Sequence, residues 1–159
     1  MKRWLVASYK FNEHKKAQLN LANQNFDFYL PKITIKTINS NHKEEVLFPG
    51  YIFIYANSKN YSVINNTIGI KKIIRFGDYI SYITDDEIQY IKMLEETSKE
   101  EPIETEVKIG QEAYISSGSL KGSIVKICSL PFKERVDIFL SILGATRRIN
   151  ISEKDITYI

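Results

Sequence analysis

The sequence predicts an α+β domain followed by a small β-barrel, and three observations carry that expectation. A strand-like run, Trp4-Leu5-Val6-Ala7-Ser8-Tyr9, leads directly into a helical stretch. A charged segment containing Pro102 then interrupts the pattern near residue 100. Beyond it, short runs rich in β-branched and aromatic residues return, with glycines at their breaks.

Taken in order, Trp4 to Tyr9 is the first strand. Asn12 can cap a helix running to about Asn23, in which Ala17 and Leu21, with neighbouring Leu19 and Ala22, supply apolar surface. Asn25 to Tyr29 and Ile33 to Ile38 are further strand candidates around Leu30-Pro31, and the polar run Ser40 to Glu44 reads as a loop. Pro49-Gly50 is a turn signal, since Pro presets φ and Gly supplies the positive φ that a type II turn needs. The strand launched by that turn, Tyr51-Ile52-Phe53-Ile54, alternates with period two, so Tyr51 and Phe53 share one face and Ile52 and Ile54 the other. The aliphatic face suits the domain core. The aromatic face can meet either a packed helix or a partner protein.

Asn60 to Ile68 can form a short helix that Gly69 ends in the left-handed C′ conformation, after which Ile70 to Phe76 is extended. Thr84-Asp85-Asp86-Glu87 marks a helix start: the hydroxyl and Glu87 make a capping box, and the acids suit the positive end of the dipole. Ile88 and Ile91 then follow helical spacing. Residues 96–108 read as an interdomain linker between a first domain, 1–95, and a second, 109–159. In the second domain Glu112–Ser116, Ser123–Leu130, Arg135–Ile142 and Ala145–Ile151 are strand candidates, and Gly110, Gly118, Gly122 and Gly144 fall at the turns. About fifty residues is marginal for independent folding, so this part should lean on its neighbours.

Hydrophobic residues make up 43% of the chain and aromatics 12%, ample for a packed core, which excludes wholesale disorder. The net charge of +3 divides as +4 over residues 1–95, −3 over 96–108 and +2 over 109–159. The single cysteine, Cys128, excludes an intrachain disulfide and a cysteine-cluster zinc site, in keeping with a reducing cytosol. Trp4 to Tyr9 is too short for a signal-peptide core, and no apolar run reaches transmembrane length, so a cytoplasmic protein is expected.

Catalytic patterns are missing from the sequence. His14 and His42 lie far apart, and neither a His-Glu-x-x-His run, a nucleophile elbow, a P-loop nor a Gly-x-Gly-x-x-Gly turn occurs. Asp85-Asp86-Glu87 is explained by the helix start rather than by metal binding. No enzyme, cofactor or metal is therefore expected. Basic residues with aromatics between them remain as a signal: Lys2, Arg3, Lys10, Lys15 and Lys16, then Lys71, Lys72 and Arg75, a set able to neutralise phosphates.

Several of these features together resemble the NusG family of transcription elongation factors, and within it the RfaH-type paralogues. Trp4, Tyr9-Lys10, Lys16-Ala17-Gln18, Leu47 to Phe53, Ile64 to Ile70 and Arg75-Phe76-Gly77 look like the family's NGN domain. Val107 to Gly110, followed by Ile115 to Gly122, looks like its KOW motif. The resemblance spans nearly the whole chain. It implies an NGN α/β sandwich with an antiparallel sheet, and a KOW domain that is an SH3-like β-barrel or, when autoinhibited, an α-helical hairpin.

The resemblance also implies a function by binding. The NGN domain would seat on the clamp helices of the RNA polymerase largest subunit and suppress pausing, through an apolar surface that falls here on Tyr51, Phe53 and Phe76. Contact with the non-template DNA strand would fall on Lys10, Lys16 and Asn20, with Asn20 and Ile68 departing from the usual residues at their positions. A salt bridge holding the closed form would join Glu45 to Arg135. An exposed pair of this kind is worth only about 0–1 kcal/mol. The KOW domain would couple to a small ribosomal subunit protein, and a monomer is implied. Two other readings are a KOW-type RNA- or ribosome-binding protein without a polymerase role, and a general NusG-like factor recruiting a termination factor.

Overall fold

The computed structural model describes residues 1–36, 39, 41–104, 114–115, 135–137, 139 and 156–157. Its elements are β1 (Arg3–Tyr9), α1 (His14–Asn23), β2 (Asp27–Tyr29), β3 (Lys32–Lys36), β4 (His42–Val46), β5 (Tyr51–Ala56), α2 (Tyr61–Asn65), β6 (Ile70–Ile73), β7 (Arg75–Phe76), β8 (Tyr79–Ile80), β9 (Tyr82–Ile83), α3 (Asp85–Glu100), β10 (Ile103–Glu104), β11 (Tyr114–Ile115) and β12 (Ile156–Thr157). They fall into two compact units, Met1–Leu30 with Gly50–Asp85, and Pro31–Pro49 with Asp86–Ile159.

The first unit is built on an antiparallel sheet in the order β2-β5-β1-β6. Strand β1 is central because its continuous apolar run can be covered on both faces: Leu5, Val6 and Ala7 are all fully buried. One edge of β1 pairs with β5; the other is shared between β6 at Ala7–Tyr9 and β9 at Trp4 and Leu5. Leu5 and Ala7 face the same side as Ile54 and Ile52, and these four form a buried core with Ala17, Leu21 and Ile64 of the helices. Each fully buried leucine or isoleucine among them contributes about 1.5–3 kcal/mol, and each alanine less.

Helix α1 ends where expected but does not begin on Asn12. That residue takes a positive φ of 57°, which asparagine tolerates better than most, and the N-cap is Glu13 with no side-chain cap bond. At the other end Asn25, with φ 62°, closes a Schellman motif in which Phe26 N donates to Leu21 O and Asn25 N to Ala22 O. Helix α2 is shorter than expected, ending at Asn65, so Gly69 is not its C′ residue. Gly69 still has a positive φ of +94°, and a second constraint acts there: an added Cβ would stand 2.5 Å from the backbone N of Ala17. Only glycine permits that approach of loop to helix.

In the second unit β3 pairs antiparallel with β4 and parallel with β10. The expected loop at Ser40–Glu44 is therefore partly strand. Its polar residues hid it, but β4 is an edge strand in which Lys43 and Glu44 remain exposed. Helix α3 starts directly after Thr84 as expected and then continues to Glu100, into the run anticipated as linker. The reason is a second use of its polar residues: Glu95 Oε1 accepts from Lys32 N at 2.9 Å and Ser98 Oγ from Thr34 N at 3.0 Å. These side chains satisfy the edge of β3 that β10 reaches only at Ile35 and Lys36. Strands β11 and β12 pair antiparallel. The remaining strand candidates 123–130 and 145–151, the expected turn glycines 110, 118, 122 and 144, and Cys128 lie outside the described residues.

Candidate protein-binding and nucleic-acid-binding surfaces

The aromatic face of the first unit follows from the β1–β5 register. Tyr51 lies opposite Ser8, Phe53 opposite Val6 and Tyr55 opposite Trp4, so all three aromatics of β5 share a face with Trp4. Tyr29 joins them from β2, its ring centroid 6.4 Å from that of Phe53. The Trp4 and Tyr55 rings lie 5.0 Å apart, with the Lys2 ammonium 6.0 Å from the Tyr55 centroid. The Pro-Gly turn has the expected form, with Gly50 at φ +94°, and Tyr9 clamps it: Tyr9 N donates to Gly50 O and the Tyr9 hydroxyl accepts from Gly50 N at 2.8 Å.

Of the three residues expected to meet polymerase, Tyr51 is half-buried and Phe53 is only 1% exposed. Phe76 is half-buried on a separate ribbon, β7–β8, opposite the exposed Tyr79, with Gly77 at φ +64° in the turn. A partner could use Phe53 as an anchor only after that ring is uncovered. Trp4 and Tyr55 extend the same face and were not among the expected site residues; their signal is the cross-strand register, which requires knowing that β1 pairs β5.

A second surface carries Lys10, Lys16 and Asn20. Both lysines are exposed. Lys10 N donates to Gly69 O at 2.9 Å, which fixes the start of the turn before α1. Asn20 Nδ2 is turned back onto Lys16 O at 2.8 Å, and Lys16 Nζ is 3.7 Å from Glu13 Oε1. Lys71 and Lys72 of the adjacent β6 are exposed too, with Lys72 opposite Ser8 of β1.

On another part of this unit the Tyr61 and Tyr82 hydroxyls lie 3.1 Å apart, and the Arg3 guanidinium is 4.7 Å from the Tyr82 ring centroid. Burial, then the hydrogen bond and the charge of Tyr82, push the Tyr61 phenol up to about 12, while Arg3 and Arg75 pull the other way.

In the second unit, Arg135 Nη2 stands 3.1 Å from Glu45 Oε2. The two side chains are 2% and 9% exposed, so this is not the solvated pair expected from sequence. A buried pair costs several kcal/mol when one partner is removed, about 3–5 kcal/mol, because the other charge is left uncompensated. Lys43 Nζ is 3.9 Å from the other Glu45 oxygen. Beside them the Phe48 and Phe139 rings stack at 4.1 Å with 14° between planes, both almost wholly buried.

The described residues Arg135–Asp137 and Phe139 are helical, which corrects the strand expected over 135–142. Helical spacing explains the correction: residues four apart share a face, so Arg135 and Phe139 can engage Glu45 and Phe48 together. A strand would also have put both on one face, but about 13 Å apart. Phe48 and Phe139 were absent from the expected site. The i, i+4 relation of Arg135 to Phe139 was the available signal.

Among the described residues no helix is long and apolar enough to cross a membrane, and no group of three or more His, Cys, Asp or Glu could hold a metal. A family model described as "Transcription termination factor nusG" matches residues 2–92. A solved structure titled "Domain interaction in Thermotoga maritima NusG" is similar over 76% of this chain and 75% of that one, at 19% identity and a TM-score of 0.42. No curated protein matches the chain.

Proposed function

The chain belongs to the NusG family, whose members are transcription factors rather than enzymes, and from that premise we propose that it is an RfaH-type elongation factor held closed by its own C-terminal segment. Its first unit carries the NGN-like α/β fold with an antiparallel sheet. In this reading Tyr51, Phe53 and Phe76 bind the clamp helices of RNA polymerase, since large rigid rings bury much area at little entropic cost. Lys10, Lys16 and Asn20 meet the non-template strand. Residues 109–159 form a KOW domain, reached through residues 96–108, that binds the ribosome once released.

The observation that carries the closed reading is the helical face on which Arg135 meets Glu45 and Phe139 stacks on Phe48. Phe48 precedes Tyr51 by three residues in the chain, so opening of this contact is the natural trigger for docking. The family description names termination, which favours a general NusG-like factor as the second reading; such a factor would lack the helical closed state. Replacing the half-buried Tyr51 and Phe76 with alanine, and leaving the buried Phe53 in place to keep the core, should abolish binding to a clamp-helix fragment while the circular dichroism of the chain stays native-like. Unchanged affinity would overturn the polymerase role.

A further inference from the structure

Among the described residues, the most exposed aromatic ring has no part in either the core or the aromatic face. Phe11 is 90% exposed, in the turn between β1 and α1, although burying it would gain more than burying almost any other side chain. Its backbone is held firmly: Glu13 N donates to Lys10 O at 2.8 Å, Lys10 N is bonded to Gly69 O, and Asn12 takes its positive φ between them. Lys10, Lys15 and Lys16 surround it in sequence and are all exposed, as is Lys72 on the neighbouring strand. Glu13 offsets one of these charges, at Lys16. Ile68, next to the Lys10-bonded Gly69, is exposed as well, at 63%.

An exposed ring fixed on a rigid turn among cations suits a polyanion that also offers flat apolar faces. Single-stranded nucleic acid has both: phosphates for the lysines and bases to stack on the ring. A duplex offers phosphates but keeps its bases stacked on each other, and an acidic protein segment offers no regular succession of flat faces. We propose that Phe11 is a base-stacking platform, with Ile68 as its apolar neighbour, so that the chain grips an unpaired base beside the strand contacted by Lys10 and Lys16. This deepens the nucleic-acid reading given above and rests on it.

Fluorescence anisotropy of the full chain with a labelled single-stranded DNA oligonucleotide tests the proposal. Phe11→Ala should weaken binding roughly five- to hundred-fold, the range found for losing one stacked base. Phe11→Trp should retain affinity, whereas Phe11→Leu, equally apolar but without a π face, should behave like alanine. The salt dependence should be unchanged in the Phe11 variants and should fall by about 0.7 in log–log slope for Lys10→Gln. Equal affinity of wild type and Phe11→Ala, or a leucine variant as good as wild type, overturns stacking and leaves the nucleic-acid reading standing. Absence of binding by the wild type overturns both, and a Phe11→Ala loss confined to polymerase binding assigns the ring to a protein partner instead.

Discussion

The two units of this molecule are held together in different ways. In the first, backbone ladders between β1, β5, β6 and β9 carry the sheet, and the middle of the central strand is buried on both faces. In the second, much of the order comes from side chains reaching across sequence: Ser98 to the Thr34 amide, Glu95 to Lys32, Arg135 to Glu45, Phe139 to Phe48. A ladder is lost only by unfolding the sheet. A side-chain clasp can open while the chain stays folded, and one residue can decide it.

Phe139→Ala should have the largest effect, since deleting a buried Phe costs about 3–5 kcal/mol. That is enough to empty a marginal docked state, as a few kcal/mol moves a two-state element from one form to the other. NMR of the full chain should lose the helical shifts of Arg135–Asp137 and Phe139 while the amides of β1 and β5 keep theirs. Glu45→Ser, which strands Arg135, should give the same spectrum. Loss of the β1 and β5 signals as well would break the contrast between ladder and clasp.

A smaller effect is expected from Ser98→Ala, which removes the acceptor for Thr34 N and the hydroxyl that donates to Glu95 O at 2.8 Å. Leaving a buried amide unsatisfied costs about 1–3 kcal/mol. Hydrogen exchange should quicken at Thr34, and at Lys32 to a lesser degree, with β1 unaffected. Equal protection at Thr34 would mean that the helix side chains do not close this edge.

The smallest effect belongs to the first unit. The Tyr61 phenol is raised from 10.0 to about 12 in the folded chain, so folding favours its protonated form. Stability from this group is complete below pH 10 and is lost as pH rises from 10 through about 12. Tyr61→Phe should flatten that alkaline decline in urea titrations and cost little at pH 7, about 0.5–1.5 kcal/mol for one hydrogen bond. An identical alkaline slope in the variant would assign the decline to other groups.

What could be foreseen from the residues follows the same division. The Pro49-Gly50 turn, the alternation of β5 and the start of α3 are local chemistry, and each stands where its residues put it. The end of α3 was hidden because Glu95 and Ser98 act on β3 as hydrogen-bond partners, and apolar periodicity cannot register polar residues facing inward. Strand β4 was hidden because an edge strand needs no apolar alternation. The segment around Arg135 to Phe139 satisfies strand and helix propensity alike, so the choice rests on Glu45 and Phe48, some ninety residues earlier in the chain. The aromatic and basic residues proposed for binding were visible as types, but Trp4, Tyr55 and Phe11 gain meaning only from register and exposure.

The contact of Gly69 with Ala17 bears on how this protein can change over time. Because backbone touches backbone there, the turn bearing Phe11, the helix bearing Lys16 and the strand bearing Lys72 share one frame that a larger residue at either position would wedge apart. New ligand preferences should therefore arise by exchanging the exposed side chains on that frame, as parts on a fixed chassis, with position 69 held to glycine and position 17 to a small residue throughout.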